Sequence, residues 1–314
     1  MQRRLAVLAA ALVVATVPAG AQDYRSPRTS WGDPDLEGTW SNDNEYATPL
    51  ERPAEFEGRR LADITATQLA EVRREATKKM IAQLAPGPRG PDSWWLENLD
   101  LTKRSQPWLV IDPPDGKIPA LTPAARERAG QRVRSSFVGG PFNSPADFNP
   151  LERCISRGVP GSMIPVMYGN VYTIFQSPGY IVITYEIIHE ARVVPLDGGA
   201  HVSPAVTEHM GDPRGHWEGD TLVVETTNFK ALTAYRRANP DRLKIIERFK
   251  RVAPDKIAWS ATMDDPSTWT APWTIAMPLT LDPQPVLPFE CNEGNYGLRN
   301  ILSGARSKDA QPTK

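Results

Sequence analysis

The second half of the chain contains a series of short segments in which apolar and polar residues alternate. In the segment "RLKIIERFKRV", one side of an extended strand has Leu243, Ile245, Glu247 and Phe249, and the other has Lys244, Ile246, Arg248 and Lys250. Further strand-like segments occur from residue 171 to residue 281, with short turns between them. Such alternation predicts an antiparallel sheet with one apolar and one solvent-exposed face. We therefore predict a mainly β protein, an antiparallel curved sheet or barrel with a few peripheral helices.

Turn residues separate the predicted strands. Ser177, Pro178 and Gly179 predict a hairpin within "NVYTIFQSPGYIVITYEI". Gly219 predicts a second tight turn, with a positive φ, within "HWEGDTLVVET". Pro278 has no backbone N–H to donate, so it predicts an edge strand or a bulge in the last strand.

Helices and one aromatic motif are predicted outside this region. Residues 65–84 have apolar side chains at helical spacing after a capping Thr65, and a second helix is predicted from Thr122 to Arg134. A third, short helix is predicted from Tyr296 to Ser303. Gly38-Thr39-Trp40 is a Gly-x-Trp motif, which also occurs in lipocalin-like barrels, where the Trp closes one end. A lipocalin-like barrel is therefore one form that the predicted sheet can take.

The first residues have the pattern of a secretory signal peptide. A basic start at Arg3 and Arg4 precedes an apolar run from Leu5 to Val17 and the small residues Ala19-Gly20-Ala21. The apolar run is too short to cross a bilayer comfortably. We therefore expect a protein exported to a periplasm or secreted, without membrane insertion. The predicted organisation is a signal peptide over residues 1–21, a single β-rich domain over residues 22–306 and a flexible tail over residues 307–314.

The two cysteines of the chain, Cys154 and Cys291, are predicted to form a disulfide in an oxidising compartment. Neither lies in a C-x-x-C motif, which argues against the alternative, a redox or nucleophilic thiol. Because the bond would close a long loop, it would lower the entropy of the unfolded chain and so stabilise the folded state by about 4–5 kcal/mol.

The balance of charges argues against a polyanionic partner. The chain has 36 basic and 37 acidic side chains and a formal net charge of −1, which favours neither nucleic acid nor anionic lipid as a partner. The sequence has no P-loop and no dinucleotide-binding glycine motif, and we predict no cofactor. We expect a small-molecule ligand; the sequence specifies no oligomeric state.

All four histidines lie between residues 186 and 220. Because histidine titrates near neutral pH, imidazoles that face one pocket can transfer protons. We predict His189 and His201 as the acid and base of a metal-independent elimination, isomerisation or hydrolysis. Nearby carboxylates would orient an imidazole and nearby guanidinium groups would hold a carboxylate or an oxyanion, namely Asp197, Asp212, Arg192 and Arg214.

Aromatic residues elsewhere are candidate walls of the binding pocket. Trp94 and Trp95 lie in a Pro-rich segment, and Tyr168 and Tyr185 lie in the region of the first hairpin. Such walls predict a small ligand that is partly aromatic or apolar. The alternative for the tryptophans is that they cover the core beneath long loops.

Two alternatives to this enzyme are consistent with the residues. One is a non-catalytic, lipocalin-like protein that binds a small molecule, in which the imidazoles brace loops by bonding backbone carbonyls. The other is a metal-dependent His/Asp hydrolase. The histidines follow one another at spacings of 12, 8 and 7 residues, which match no compact ligand motif, and H-E-x-x-H is absent. The sequence therefore predicts no metal site.

Several long blocks resemble a group of exported bacterial proteins. "MGDPRGHWEGDTLVVETTNF" and "CNEGNYGLRNILSGAR" resemble that group's GxWEGDTLVVET block and CHEGNY…ILxGAR tail. The resemblance covers roughly residues 30–306 and implies export, with Cys154 and Cys291 at the group's cysteine positions. The chain departs from the group at Asn292, where His is common. The resemblance also implies a shared polar motif that consists of His189, Arg192, Asp197, His201, Asp212, Arg214, Trp217, Glu218 and Asp220.

Overall fold

The structure, a computed structural model, describes residues 24–83, 104–129, 142–166, 168–287, 289, 291 and 296–309. The predicted signal peptide and the predicted wall residues Trp94 and Trp95 lie outside these ranges. The strands are β1 (Gly38–Ser41), β2 (Val110–Asp112), β3 (Val171–Ser177), β4 (Tyr180–Tyr185), β5 (Ala191–Pro195), β6 (Asp212–Glu218), β7 (Thr221–Thr227), β8 (Lys244–Ala253), β9 (Lys256–Asp264) and β10 (Trp273–Leu281).

These strands form one antiparallel sheet that is nearly closed into a barrel, which confirms the predicted fold class. The strand order is β5-β4-β3-β1-β10-β9-β8-β7-β6, and β2 pairs with β10. The end strands β5 and β6 lie against each other. At this seam Gly215 of β6 faces Val194 of β5 so closely that an added Cβ would lie 2.7 Å from the valine side chain. Side-chain packing therefore brings the two ends of the sheet together.

Alternate residues of each strand point into the barrel, as the sequence pattern predicts. In β9, Ile257, Trp259, Ala261 and Met263 are buried. The core is rich in large aromatic side chains, and fully burying one such side chain contributes roughly 1.5–3 kcal/mol. Its fully buried aromatic residues are Trp40, Trp108, Trp259, Trp269, Trp273, Tyr172, Tyr185, Phe229 and Phe249.

Trp40 of the Gly-x-Trp motif lies inside the barrel. Its indole Nε1 donates a hydrogen bond to the Leu36 carbonyl at 3.0 Å, and the Arg251 guanidinium lies 5.4 Å from the ring centroid. A cation over an aromatic face adds to the apolar packing of the ring. The motif is therefore a structural anchor of the first strand.

The described residues contain three α-helices, α1 (Ala66–Gln83), α2 (Pro123–Ala129) and α3 (Gly297–Asp309). The predicted cap of α1 is confirmed, because Gln68 N–H donates to Thr65 Oγ1 at 3.3 Å. By contrast, α3 continues through Gly304, where we predicted its end, and extends to Asp309. No helix in the described ranges is long and apolar enough to cross a bilayer.

The turns follow the sequence prediction, whereas the last strand does not. Gly179 and Gly219 have φ angles of +82° and +61° at the two predicted hairpins. Pro278 lies in β10, which is not an edge strand but pairs with β9 along its length. On the other side of β10, β2 pairs with residues 274–275 and β1 with residues 280–281. Pro278 lies between these two pairings, which explains how an interior strand accommodates a proline.

The predicted disulfide is present between Cys154 and Cys291, which are 137 residues apart in the sequence. It joins the segment that precedes α3 to the loop that precedes β3. A disulfide of this kind is typical of proteins from oxidising compartments. The bond also fixes the chain three residues from Arg157, which belongs to the candidate site.

Candidate functional site

Most of the sequence-predicted polar residues lie toward one end of the barrel. Successive antiparallel pairings place the end of β4 and the starts of β6, β8 and β10 at this end. We call it the upper rim and define it by Tyr185, Asp212, Lys244 and Trp273. The rim is completed by the loop that precedes β3 and by the loop that joins β7 to β8.

A cavity of about 290 Å³ lies between these two loops. The Tyr235 ring in its wall lies 6.1 Å from the Trp273 ring, which places the cavity at the upper rim. Apolar residues such as Leu151 and Leu232 form part of the wall. The polar residues that line it are Asn149, Ser156, Arg157, Thr233, Tyr235 and Arg236.

Arg157 has a spare hydrogen-bond donor in this wall. Its Nη2 donates to the Ile164 carbonyl at 3.3 Å, whereas its buried Nη1 has no hydrogen-bond partner among the described residues. Burial lowers the pKa of Arg157, and the phenols of Tyr172 and Tyr235 partly offset this effect. A guanidinium remains charged in proteins. A side chain that lines the cavity therefore carries a positive charge and a buried donor without a described partner.

Two hydroxyl groups adjoin this charge. Burial raises the pKa of Tyr235 to about 12, although Arg236 and Arg157 act in the opposite direction. The Tyr235 phenol is therefore neutral near pH 7 and retains its proton for donation. Ser156 is 1% exposed; its Oγ accepts a hydrogen bond from Gly158 N–H at 2.8 Å and donates one to Met210 Sδ at 3.6 Å.

A carboxylate interacts with this part of the wall. Glu190 Oε2 accepts a hydrogen bond from Arg157 N–H at 3.4 Å. Burial raises the pKa of Glu190, and hydrogen bonds from the Ser156 side chain and the Arg157 backbone partly counteract it. Glu190 is therefore protonated more readily than an ordinary surface glutamate.

Left-handed backbone conformations occur in two segments at the upper rim. Ile188 and His189 have φ angles of +61° and +54°, and Arg236 and Arg237 have φ angles of +50° and +60°. Such conformations cost roughly 1–3 kcal/mol each for residues with a Cβ and are concentrated at functional sites. One segment contains Arg236 of the cavity wall, and the other immediately precedes Glu190.

The two histidines predicted as acid and base bind different partners. His189 Nε2 accepts a hydrogen bond from Phe289 N–H at 2.7 Å. His201 Nδ1 lies 2.9 Å from Asp212 Oδ2, and its Nε2 lies 3.3 Å from Glu225 Oε1. Neither imidazole lines the cavity. The structure therefore does not join them in one site.

His201 belongs to a group of polar residues on the outer face of the barrel. Arg214 Nη2 lies 3.1 Å from Asp212 Oδ1, and Lys244 Nζ lies 3.6 Å from Glu225 Oε2. Asp212 also accepts a hydrogen bond from the Val202 N–H at 2.9 Å. This outer cluster, formed by His201, Asp212, Arg214, Glu225 and Lys244, fastens the loop between β5 and β6 to the sheet.

Arg192 lies on the opposite face of the barrel wall from Arg214. It points into the core, where its Nη1 bonds Glu247 Oε2. Although burial lowers it, the pKa of Arg192 is raised overall by the Glu247 carboxylate. Tyr185, a predicted wall residue, also points into the core and is 1% exposed. The two arginines therefore cannot hold the same anion.

The remaining predicted residues lie apart from the cavity. Asp197 is exposed and its Oδ1 accepts a hydrogen bond from Gly199 N–H at 2.8 Å, which is a local turn contact. Tyr168 is 59% exposed and stacks on Phe289, with 6.0 Å between the ring centroids. In the described ranges no group of three or more His, Cys, Asp or Glu residues is arranged to hold a metal ion.

Sequence reasoning missed Arg157, Ser156 and Tyr235. Arg157 lies in "RCISRGVPGSMIP" and Tyr235 in "TAYRR", neither of which has the periodicity of a strand or a helix. The available signal was the glycine after Arg157. Gly158 has a φ of +62°, and an added Cβ would lie 2.7 Å from the Thr233 carbonyl. A glycine at this position therefore lets the two loops of the cavity approach each other.

Comparison with known proteins does not supply a relative from which a function can be carried over. No protein-family description, no curated protein and no solved structure matches this chain.

Proposed function

We propose that the protein binds a small organic anion in the cavity at the upper rim. The observation that carries this proposal is the buried Arg157 Nη1, which belongs to a side chain that lines the cavity and has no partner among the described residues. A buried donor without a partner costs roughly 1–3 kcal/mol. An anionic acceptor would remove that cost, and a charge-assisted hydrogen bond is about twice as strong as a neutral one.

The size and composition of the wall define the ligand further. Small-molecule pockets range from roughly 300 to 1,000 Å³, so a cavity of about 290 Å³ suits a small ligand. Leu151 and Leu232 offer apolar contacts, while Tyr235 and Arg236 add a neutral donor and a second positive charge beside Arg157. We therefore propose a carboxylate with a short apolar or aromatic body.

Calorimetric titration of the full chain with benzoate, phenylacetate and inorganic phosphate tests this proposal. We expect at least one of the two carboxylates to bind. Its affinity should fall roughly 10- to 100-fold in the Arg157→Met variant, because a hydrogen bond to a charged group contributes about 1.5–3 kcal/mol.

Arg28→Met is the matched control, since it removes the same charge from an exposed side chain that pairs with Asp220 at the β6–β7 turn, at the opposite end of the barrel from the cavity. It should leave carboxylate affinity within about twofold, because a distant exposed charge is largely screened. The proposal fails if neither carboxylate binds, or if Arg157→Met binds as tightly as the wild type.

The second candidate function is the metal-independent acid/base enzyme predicted from the sequence. The observation in its favour is the contact of 2.9 Å between His201 Nδ1 and Asp212 Oδ2, because a carboxylate so placed orients an imidazole for proton transfer. The contact between His201 Nε2 and Glu225 argues for a bracing role instead.

Incubating the protein with a small-molecule extract and measuring the loss of each compound by mass spectrometry separates these two roles. A catalytic His201 predicts that the wild type consumes a compound that the His201→Gln variant leaves intact at equal thermal stability. If the wild type consumes nothing, or if His201→Gln only lowers the melting temperature, the enzyme proposal is wrong.

We also propose that the protein is exported. The disulfide Cys154–Cys291 and the predicted cleavage after Ala21 support export. Expression in a bacterium followed by fractionation and intact-mass measurement tests it. The expected product is a periplasmic chain that begins at Gln22, and a cytoplasmic chain of full mass would contradict the proposal.

A further inference from the structure

The disulfide lies within a loop that supplies part of the cavity wall. Residues 149–151 and 156–157 of this loop line the cavity, and Cys154 lies between these two stretches. The Cys154 N–H donates to the Leu151 carbonyl at 2.9 Å, which folds the loop into a tight turn. Because the turn is tight, a displacement of Cys154 would move both stretches of the wall.

The backbone of Cys154 has a conformation that most residues avoid. Its φ angle is +53°, in the left-handed region that a residue with a Cβ rarely adopts. Such a conformation persists where the surrounding structure imposes it, and the bond to Cys291 is one such constraint. Opening the bond would let the turn relax, and a ligand would then have to reorder the turn on binding.

Hydrogen bonds fasten the segment that carries Cys291. The Cys291 N–H donates to the Phe289 carbonyl at 2.9 Å. The Phe289 N–H in turn donates to His189 Nε2 at 2.7 Å. His189, one of the two histidines predicted as acid and base, therefore anchors the partner end of the disulfide to the segment between β4 and β5.

A second connection joins this anchor to Arg157. Glu190, which follows His189, accepts a hydrogen bond from the Arg157 N–H at 3.4 Å through its Oε2. The Arg157 backbone is thus held by this bond and by the disulfide three residues before it. Because both restraints depend on the segment around His189, loosening either one should disturb the position of Arg157 while the groups that line the cavity stay the same.

We propose that the disulfide Cys154–Cys291 positions Arg157 for binding, so that the oxidised protein binds a carboxylate more tightly than the reduced protein does. This inference rests on the proposed binding function and adds the regulation of that site by redox state. The disulfide acts as a positioning element, since neither cysteine lines the cavity.

The reaction that switches the site is thiol–disulfide exchange with a dithiol. Both cysteines are only partly buried, so a reductant can reach them. A thiolate of the dithiol attacks one sulfur, so that the bond between the cysteines breaks and a mixed disulfide forms. The second thiol of the dithiol then closes its own disulfide and releases the remaining cysteine. In total, Cys154 and Cys291 gain two electrons and two protons from the dithiol.

Calorimetric titration of the oxidised and the dithiothreitol-reduced chain tests this proposal, with benzoate and phenylacetate as ligands. The tighter of the two ligands should bind the reduced chain about tenfold more weakly than the oxidised chain, which corresponds to reordering the backbone of about one residue. A thiol assay confirms reduction, and circular dichroism confirms that the reduced chain is folded at the temperature of the titration.

A second measurement uses the reciprocity of coupled equilibria. If oxidation tightens binding about tenfold, a saturating ligand must disfavour reduction by the same factor. The midpoint potential of the disulfide, measured against dithiothreitol, should therefore fall by about 30 mV when the tighter ligand is saturating.

Gly215→Ala is the control for a general loss of stability. An added Cβ at this position would collide with Leu196 and Val194 at the β5–β6 seam, and none of these residues lines the cavity. The variant should therefore lower the melting temperature but leave the affinity for the carboxylate within about twofold.

His189→Asn tests the same connection with the disulfide intact, and it decides the question if the reduced chain does not fold. Asparagine tolerates the left-handed backbone of residue 189, but its shorter side chain withdraws the acceptor from the Phe289 N–H. We expect about a threefold loss of carboxylate affinity, because one neutral hydrogen bond contributes modestly. The matched control is His216→Asn, at an exposed histidine of β6, which should leave the affinity unchanged.

Three results would refute the positioning role alone. They are equal affinities of the folded oxidised and reduced chains, a loss in Gly215→Ala as large as the loss on reduction, and equal affinities of His189→Asn and His216→Asn. Failure of the oxidised chain to bind either carboxylate would refute the proposed binding function itself.

Discussion

Two arginine–carboxylate pairs on opposite faces of the same barrel wall have very different surroundings. Arg192 and Glu247 join β5 to β8 through the core, and their side chains are 1% and 0% exposed. Arg214 and Asp212 lie two residues apart on the outer face of β6, with side chains 20% and 14% exposed and 3.1 Å between the charged atoms. Similar chemistry therefore has different consequences in the two places.

The difference shows that the environment, rather than the residue types, decides what an ion pair does. Removing one partner of a buried pair leaves an uncompensated charge in the core. On the outer face, water and dissolved ions stabilise whichever charge remains. The inner pair is therefore needed for a stable core, although some of its donors have no partner among the described residues. The outer pair only helps to hold the β5–β6 loop against the sheet.

The largest expected effect comes from Glu247→Gln. Because the variant leaves Arg192 charged and unpaired in the core, the free energy of unfolding should fall by about 3–5 kcal/mol. Glu225→Gln in the outer cluster is the counterpart and should cost less than about 1 kcal/mol. Chemical denaturation of both variants measures these values.

A double variant distinguishes loss of charge balance from general damage to the core. Replacing both partners with methionine (Arg192→Met and Glu247→Met) should recover part of the stability lost in Glu247→Gln, because an apolar pair leaves no buried charge, although Trp259 Nε1 loses its acceptor. If the free energy of unfolding of Glu247→Gln lies within about 1 kcal/mol of the wild-type value, the inner and outer pairs do not differ as we expect.

The next effect concerns packing at the seam between β5 and β6. Gly215 points into the barrel, and an added Cβ would lie 2.6 Å from Leu196 and 2.7 Å from Val194. Gly215→Ala should therefore lower the free energy of unfolding by roughly 1–3 kcal/mol. His216→Ala, one residue further along on the outer face, should change it by less than about 0.5 kcal/mol. Equal effects in denaturation would contradict the assigned faces.

The features that could be predicted from the sequence are those that a few neighbouring residues, or a single possible pairing, determine. Glycine is one of the few residue types that readily adopt a φ of +61°, so the hairpin at Gly219 is encoded locally. Two cysteines allow only one intramolecular pairing. The alternation in β8 and β9 fixes which side chains share a face, and hence the fold class.

The site depends on contacts between distant loops, which local patterns do not encode. The path of the β5–β6 loop is set partly by Asn228, whose Nδ2 donates to the Val202 carbonyl at 3.1 Å. Because the loop follows this path, His201 contacts Asp212 rather than Asp197. Arg157 and Tyr235 likewise meet because two irregular loops converge. Proximity of histidines in the sequence therefore did not predict a shared pocket.

The outer cluster should respond to salt in a way that the inner pair does not. Asp212→Asn removes the charge that faces His201 and Arg214 but keeps an acceptor for the Val202 N–H. We expect a loss of about 1 kcal/mol at low ionic strength, which should shrink as salt screens the charges. The loss in Glu247→Gln should remain nearly constant. Denaturation at low and high salt measures both, and a salt-independent loss in Asp212→Asn would show that the outer pair behaves as a buried one.

The smallest expected effect concerns two carboxylates whose pKa values are shifted in opposite directions. Burial raises the pKa of Glu190 above its ordinary value of 4.5. Hydrogen bonds from Arg248 and His216 lower the pKa of the exposed Glu218. The stability that Glu190 contributes is present below pH 4.5 and is lost as pH rises through its raised pKa. The stability that Glu218 contributes is present above pH 4.5 and is lost as pH falls through its lowered pKa.

Glu190→Gln and Glu218→Gln should therefore change the pH dependence of stability in opposite directions. Relative to Glu190→Gln, the wild type should lose stability as the pH rises above about 4.5, because the folded state must then ionise a buried carboxyl. Relative to Glu218→Gln, it should lose stability as the pH falls below about 4.5, because protonation removes the charge that faces Arg248. Melting temperatures measured from pH 3 to pH 8 give both differences. Parallel curves for the two variants would mean that Glu190 is as well hydrated as Glu218, and that the cavity wall beside it lacks the low polarity on which tight binding of an anion by Arg157 depends.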